Sequence, residues 1–268
     1  MKEQDYRLPP VIVTEILSHM PLAEQAGEQL TLRGDWQKLK EITGDGAGIR
    51  IGIGDTGVDK QHLQGDLKRV KLAKDFTGSR YGYYDQHSHG SHCTGVIGAS
   101  SDGNGMIGIA SSCDMFHAKI LGDSGSGSTT GIAQGIRWMC DQDCHIISLS
   151  LGGGYSDDIE GACREAVQEG RIIVAAMGNE GTRGDGHPGN SRYTFGIVAV
   201  DWQKKLAPFS SRSKMAKYSG YGVNVLSCGS GGRYMRMSGT SMATPDQAGI
   251  MVLYLSYRLK NSLPLPKT

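Results

Sequence analysis

The most constraining feature of this chain is an alternation: short apolar runs bounded by glycine, each followed by a stretch of helical periodicity. Runs of that length suit strands buried on both faces, and strands joined by helices lie parallel. The spacing predicts strands at Arg50–Gly54, Met115–Ile120, His145–Leu149, Arg171–Ala176 and Phe195–Val200. It predicts helices at Gly90–Ala99, Ser128–Cys140, Asp157–Gln168 and Thr240–Arg258. The third helix has Ser156 or Asp157 as cap, acids in its first turn and Gly170 just past its end. The expected fold is α/β, with a mostly parallel central sheet and helices on both faces, over residues 35–268. Residues 1–34 are Pro-punctuated, stand outside the alternation and read as an N-terminal extension.

Forty of the 268 residues are glycine, without a G-X-Y period and with only 8 prolines, so collagen-like and linker-like readings fail. The glycines have local backbone work instead. A formal charge of +1 and no basic stripe argue against nucleic acid or an anionic membrane as partner. The longest apolar run, Ile250 to Leu255, is far short of a bilayer span. The polar start, Met1 to Asp5, has no export-signal pattern, so the expected location is cytoplasmic and the six cysteines are expected as free thiols. Cys140, Cys144 and His145 make a faint metal-ligand pattern that lacks a second pair.

Four segments carry chemistry. Gly52-Ile53-Gly54-Asp55-Thr56-Gly57 fits G-x-G-x-x-G after a strand, but Val58 to Gly65 lacks the apolar periodicity of a pyrophosphate-binding helix. Asp55, at a strand's C-terminal end, suits an orienting carboxylate better. His87-Ser88-His89-Gly90-Ser91-His92 places a histidine at a helix start beside small residues. A metal reading lacks an acidic ligand inside the cluster, and a general base fits it better. In Ala175-Ala176-Met177-Gly178-Asn179-Glu180-Gly181 a strand ends in a glycine turn presenting Asn179, a neutral N–H donor for an oxyanion. Ser238-Gly239-Thr240-Ser241-Met242-Ala243-Thr244-Pro245 puts Ser241 at or before a helix N-terminus, where free amides favour developing negative charge; Pro245 is compatible with the first helical turn. Taken singly, each segment also has an ordinary structural reading.

Together, a serine, a histidine, a carboxylate and an Asn donor are the parts of acyl transfer by an activated hydroxyl. Their order and motifs resemble the subtilisin-like serine proteases (subtilases) over about residues 35–258; this triad order and the Asn donor are established features of subtilisin. The resemblance implies a three-layer subtilisin-like fold and a serine endopeptidase with Ser241 as nucleophile, His89 as general base and Asp55 orienting it. Asn179 and the Ser241 amide would form the oxyanion hole, and His92 would be structural. It further implies that Ser150, Leu151, Gly152 and Gly153 line a specificity pocket faced by Ala176, Met177 and Gly178. Gly125, Ser126 and Gly127 would form an edge that captures an extended peptide by strand addition. Glu180 and Asp185 hint at basic side chains in that pocket, the Ala and Gly walls at large apolar ones.

The same resemblance implies structural calcium, held by Asp66 and the loop positions Ser100, Asp102, Asn104 and Met106, where oxygen donors suit a hard cation. A two-residue insertion precedes Asp66, and solvated loop charges are the alternative. The chain looks most like the intracellular subtilisins, whose N-terminal extension lies across the active site. Arg7-Leu8-Pro9-Pro10 resembles that segment and Trp36 resembles a Trp near the start of their catalytic domain, so residues 1 to about 20 are expected to act as an inhibitory pro-segment of a zymogen. Expected partners are peptide or unfolded protein substrates and the chain's own extension, with a homodimer left open. Two departures stand out: Asp246 follows Pro245 where the family usually has His, and Cys93 stands where many relatives have Val. The rival readings are a catalytically silent subtilase-fold binding protein and an esterase using the same chemistry.

Overall fold

The computed structural model describes residues 6–7, 12–17, 36–100, 105–181 and 186–266. Twelve strands appear among them: β1 (Tyr6–Arg7), β2 (Ile12–Leu17), β3 (Arg50–Asp55), β4 (Val70–Asp75), β5 (Asp114–Lys119), β6 (Ser126–Gly127), β7 (Ile146–Leu149), β8 (Ile172–Ala176), β9 (Phe195–Val200), β10 (Ala216–Tyr221), β11 (Val225–Gly229) and β12 (Arg233–Ser238). The helices are α1 (Trp36–Thr43), α2 (His89–Gly98), α3 (Thr129–Asp141), α4 (Asp157–Gln168) and α5 (Thr240–Lys260). Seven strands form one parallel sheet in the order β10-β9-β8-β7-β3-β5-β4. The expected three-layer α/β fold is present.

Alternation along the central strands feeds two cores. Ile51 and Ile53 of β3, with Ile146 and Val174, face α2 and α5 and meet Cys93, Ile97, Met242 and Val252. Ile147, Leu149, Ile173 and Ala175 face α3 and α4 and meet Ile136, Met139, Ile159 and Cys163. On that second face the buried positions of β3 are Gly52 and Gly54. A Cβ at Gly52 would lie 2.5 Å from the Met139 sulfur, and one at Gly54 2.6 Å from Ile120 Cδ1. Two of the three glycines in the dinucleotide-like pattern are therefore packing glycines, and Gly57 is followed by a three-residue 3-10 turn (His62–Gln64) rather than by an α-helix that could hold a phosphate. Capping agrees with the sequence: Ser128 and Ser156 each accept an N–H in the first turn of α3 and α4, and Gly170 sits at φ +81° past the end of α4.

Several elements go beyond the sequence expectation. Strands β4 and β10 are sheet edges with mostly exposed or half-buried side chains, so they lack the apolar runs that mark the central strands. The β11–β12 hairpin gains β2 as a third antiparallel strand, and β1 pairs antiparallel with β6. Pro245 lies in the second turn of α5 rather than the first, because α5 starts at Thr240. All six cysteines are buried and free. No helix among the described residues is long and apolar enough to cross a membrane.

Candidate active site

The four chemistry-bearing segments converge at the C-terminal ends of β3 and β8 and the N-terminal ends of α2 and α5. Asp55 ends β3, and its Oδ1 lies 2.8 Å from His89 Nδ1 while accepting the Thr56 amide at 2.7 Å. Asp55, His89 and Ser241 are all buried, at 0, 1 and 0 % exposure. Burial alone would raise the Asp55 carboxyl; the charge and N–H of His89, with the Thr56 amide, outweigh it and hold its pKa below the ordinary value. The Asp85 carboxylate, which accepts the Thr56 hydroxyl and the Ser88 and Ser91 amides, fastens the entry to α2 to the Asp55 turn.

Ser241 is the second residue of α5, on the edge of the positive end of the helix. Its hydroxyl donates to the Ser150 carbonyl at 3.3 Å, and His89 Nε2 has no hydrogen-bond partner. The Ser241 hydroxyl and His89 Nε2 are thus not hydrogen-bonded to each other in this structure. Pro245, four residues on, has no N–H to give the Ser241 carbonyl. That carbonyl instead accepts the Ser150 hydroxyl at 2.9 Å and the Cys93 thiol at 3.4 Å. Burial raises the Cys93 thiol well above its usual pKa, which keeps it the S–H donor this contact needs.

Asn179 Oδ1 accepts both the amide and the hydroxyl of Thr240, at 2.8 and 2.9 Å. The acceptor end of the amide is thereby engaged, so Nδ2 is the end presented toward the Ser241 side. Thr240 was not singled out by the sequence reading; its hydroxyl also accepts the Gly178 amide at 3.2 Å. An S/T next to the nucleophile was the available signal, but its role depends on a partner 61 residues away.

Residues 46–264 match the Subtilase family, over most of the chain. The chain belongs to that family. This subtilase is 38% identical over 212 residues to the thermostable alkaline protease of Halalkalibacterium halodurans, covering 79% of this chain and 58% of that protein. It is 35% identical over 216 residues to subtilisin DY of Bacillus licheniformis, covering 79% and 78%, and 34% over 219 residues to the intracellular serine protease of Paenibacillus polymyxa, covering 78% and 67%. The matched stretch is thus similar to serine proteases of the subtilisin type, and the chain spans 58% of the first of these relatives' length.

Two of the segments expected to line a cleft lie side by side in this subtilase. Ser150 to Gly153 leave β7, and Ala176 to Gly178 end β8 beside them in the sheet. Gly153 exchanges two backbone hydrogen bonds with His187, at 3.0 and 3.1 Å. Gly186 lies 4.0 Å from a Cβ placed on Gly152, and Gly189 packs against the Ala176 carbonyl. The Met177 side chain points toward Gly196, away from the cleft, so Met177 offers only backbone there. The Glu180 carboxylate accepts the Ser211 hydroxyl at 2.7 Å, and Asp185 lies outside the described residues, so the hint of a basic-side-chain pocket gains nothing. Gly125, at φ +78°, turns the chain into β6, where Ser126 and Gly127 pair with Arg7 and Tyr6.

Other site residues take structural places. His92 Nε2 donates to the Val225 carbonyl of the β11–β12 hairpin and lies near that of Met235, while His87 points outward. Asp246 accepts the Tyr221 amide at 3.1 Å and so faces β10. His145 Nδ1 accepts the Arg50 amide, which takes it out of a pattern with Cys140 and Cys144.

For calcium, Asp66 is buried; its Oδ2 meets His62 Nδ1 at 3.1 Å and the Tyr234 hydroxyl, while its Oδ1 is buried without a hydrogen-bond partner. That oxygen aims at Gly105, at φ +119°, where a Cβ would stand 2.4 Å away. Ser100 donates its amide to the Asp66 carbonyl, and the buried Met106 sulfur accepts from Ser227, leaving only its backbone for a hard cation. Asp102 and Asn104 lie outside the described residues. Among the described residues, the unpartnered Asp66 Oδ1 is a donor of the kind an oxygen-liking ion takes.

Proposed function

We propose that this chain hydrolyses peptide bonds through Asp55, His89 and Ser241 by way of an acyl-enzyme. Asp55 fixes the His89 tautomer, with the proton on Nδ1, and stabilises the imidazolium once it forms. His89 Nε2 takes the Ser241 hydroxyl proton as Oγ attacks the carbonyl, then returns it to the leaving amine. Water repeats the sequence to release the acid. Asn179 Nδ2 and the Ser241 amide stabilise the oxyanion. The observation that carries this reading is the 2.8 Å Asp55–His89 bond formed beside a helix-N-terminal serine and an amide oriented by Thr240.

Substrate would add a strand to the edge Gly125–Ser126–Gly127 and place one side chain between Ser150–Gly153 and Ala176–Gly178. The pairing of Tyr6 and Arg7 with that edge supports residues 1–34 as a separate extension, with residues 1 to about 20 as an inhibitory pro-segment. Proline restrains φ and distorts a scissile register, so Pro9 and Pro10 would let the segment bind without ready cleavage. Calcium, held by Asp66 and the Ser100–Met106 loop, would supply a structural crosslink only. Similarity to the intracellular serine protease of P. polymyxa supports a cytoplasmic location.

A fluorophosphonate probe tests the catalytic reading. Labelling at Ser241 that disappears in Ser241→Ala, together with loss of peptide hydrolysis, is the expected result. A folded wild-type protein that takes no label and cuts no peptide would be the silent binding protein instead.

A further inference from the structure

His117 lies in the interior of β5, opposite Ile53 of β3 and Ala73 of β4, and is fully buried. Its Nε2 is 3.2 Å from the Gly57 amide nitrogen and its Nδ1 is 3.1 Å from Thr94 Oγ1. A backbone amide only donates, so Nε2 is the acceptor and the ring proton sits on Nδ1. Nδ1–H then donates to Thr94 Oγ1, whose own hydrogen goes to the Gly90 carbonyl at 2.7 Å. One arrangement of protons satisfies the whole chain. One end of it is the Asp55-Thr56-Gly57 turn; the other is the first turn of α2, which begins at His89.

We propose that His117 is a positioning residue for the peptidase reaction: as the neutral Nδ1–H tautomer it ties the turn carrying Asp55 to the helix carrying His89 and so sets the separation across which those two side chains bond. The proposal rests on the reading of Asp55 and His89 as catalytic partners. Contact alone sets only a lower limit on the separation, since a Cβ at Gly90 would come 2.3 Å from the Gly57 carbonyl and the two backbones already touch. Attractive links set the upper limit. There are three: the Gly90 amide to Thr56 Oγ1 at 2.9 Å, the Asp85 carboxylate shared by the Thr56 hydroxyl and the Ser88 and Ser91 amides, and the His117–Thr94 relay, which alone reaches Gly57. The groups acting on the ring explain why the relay persists while His89 gains and loses its proton. Burial disfavours a charge on His117, the carboxylates of Asp55 and Asp85 favour one, Lys119 opposes it, and the result is a pKa pushed down to about 4. An imidazolium would also set an N–H against the Gly57 N–H.

The test compares wild type with His117→Ala, His117→Gln and Thr94→Val, measuring kcat, KM and the acid limb of kcat/KM on one peptide substrate, with the thermal midpoint alongside. Small displacements of reacting groups are costly, so the Ala variant should lose about 10-fold in kcat with KM little changed. Its acid limb should move to lower pH by about half a unit, because a loosened Asp55 stabilises the His89 cation less. Gln, which can offer an acceptor to Gly57, should recover most of kcat, and Thr94→Val should shift the limb in the same direction as Ala. A folded Ala variant with a lowered midpoint but wild-type kcat and acid limb overturns the proposal. Should the Ala variant fail to fold, an unchanged acid limb in Thr94→Val does so. A further readout needs no turnover: the proton between His89 and Asp55 gives a downfield NMR resonance. It should move upfield in the Ala and Val variants, and an unmoved signal refutes the relay. A wild type without hydrolysis would sink the catalytic reading and leave this last measurement in force.

Discussion

At the scale of single residues, the site shows how a neighbour decides what a side chain does. Asn179 could present either end of its amide; Thr240, by giving both an N–H and an O–H to Oδ1, leaves the donor end for the oxyanion. Replacing Asn179 by Leu should therefore lower kcat with little change in KM. The measured precedent is the corresponding donor of subtilisin itself, about 10²- to 10³-fold in kcat, near 3 kcal/mol. Thr240→Val should reproduce part of that loss without touching the substrate; an Asn179→Leu enzyme with wild-type kcat would refute the assignment. Ser241, His89, Asp55 and Asn179 were legible in the sequence because each sits in a short motif. Thr240 and His117 were not. Their chemistry depends on partners that only folding brings near, Asn179 for one and Gly57 with Thr94 for the other.

At the scale of elements, the central strands and the four large helices were legible because burial on two faces writes short, glycine-bounded apolar runs and clean caps into the sequence. The edges were not, since β4 and β10 expose most of their side chains and read as polar loops. The N-terminal strands were hidden for another reason: β1 and β2 exist through pairing with β6 and β12, and backbone pairing leaves little trace in composition. These two pairings flank the stretch that contains Pro9 and Pro10. Deleting residues 2–20 should remove a lag phase and raise initial peptidase activity several-fold. Changing both prolines to alanine should instead speed cleavage of the extension. Progress curves and N-terminal sequencing of the processed protein check both, and activity with an unchanged lag after deletion would rule the pro-segment out.

At the scale of the whole molecule, buried neutral histidines make stability depend on pH. His92 is pushed down to about 3 and His117 to about 4, chiefly by burial. In the unfolded chain both should titrate near 6.5. Because the folded values are the lower ones, the unfolded state binds more protons between about pH 4 and 6.5. The two groups' contribution is full above about 6.5 and falls as the pH drops, by about 1.4 kcal/mol per unit for each. His62 has the opposite sign: its pKa is raised, against burial, by Asp66 and the Arg233 carbonyl. Its contribution is lost as the pH rises above 6.5 and leaves the acid window untouched. Urea unfolding of Ser241→Ala, used to prevent self-digestion, should show a midpoint falling steadily from pH 6.5 to 4.5; a flat midpoint there would contradict the buried neutral state.

The sequence by itself determined the fold class, the four catalytic motifs and the family, because strand burial, helix capping and the immediate surroundings of a reacting group are all local patterns. It argued against a dinucleotide reading of the G-x-G-x-x-G pattern, and packing shows what two of its glycines do instead: Gly52 and Gly54 make room for Met139 and Ile120. The tertiary structure alone decided which end of Asn179 is presented, that the proline-freed Ser241 carbonyl is met by Ser150 and Cys93, and that His117 bridges the turns carrying Asp55 and His89. The physical reason is common to all three. A hydrogen bond is specified by the position of two groups in space, and no local sequence pattern records that position for residues tens or hundreds of places apart.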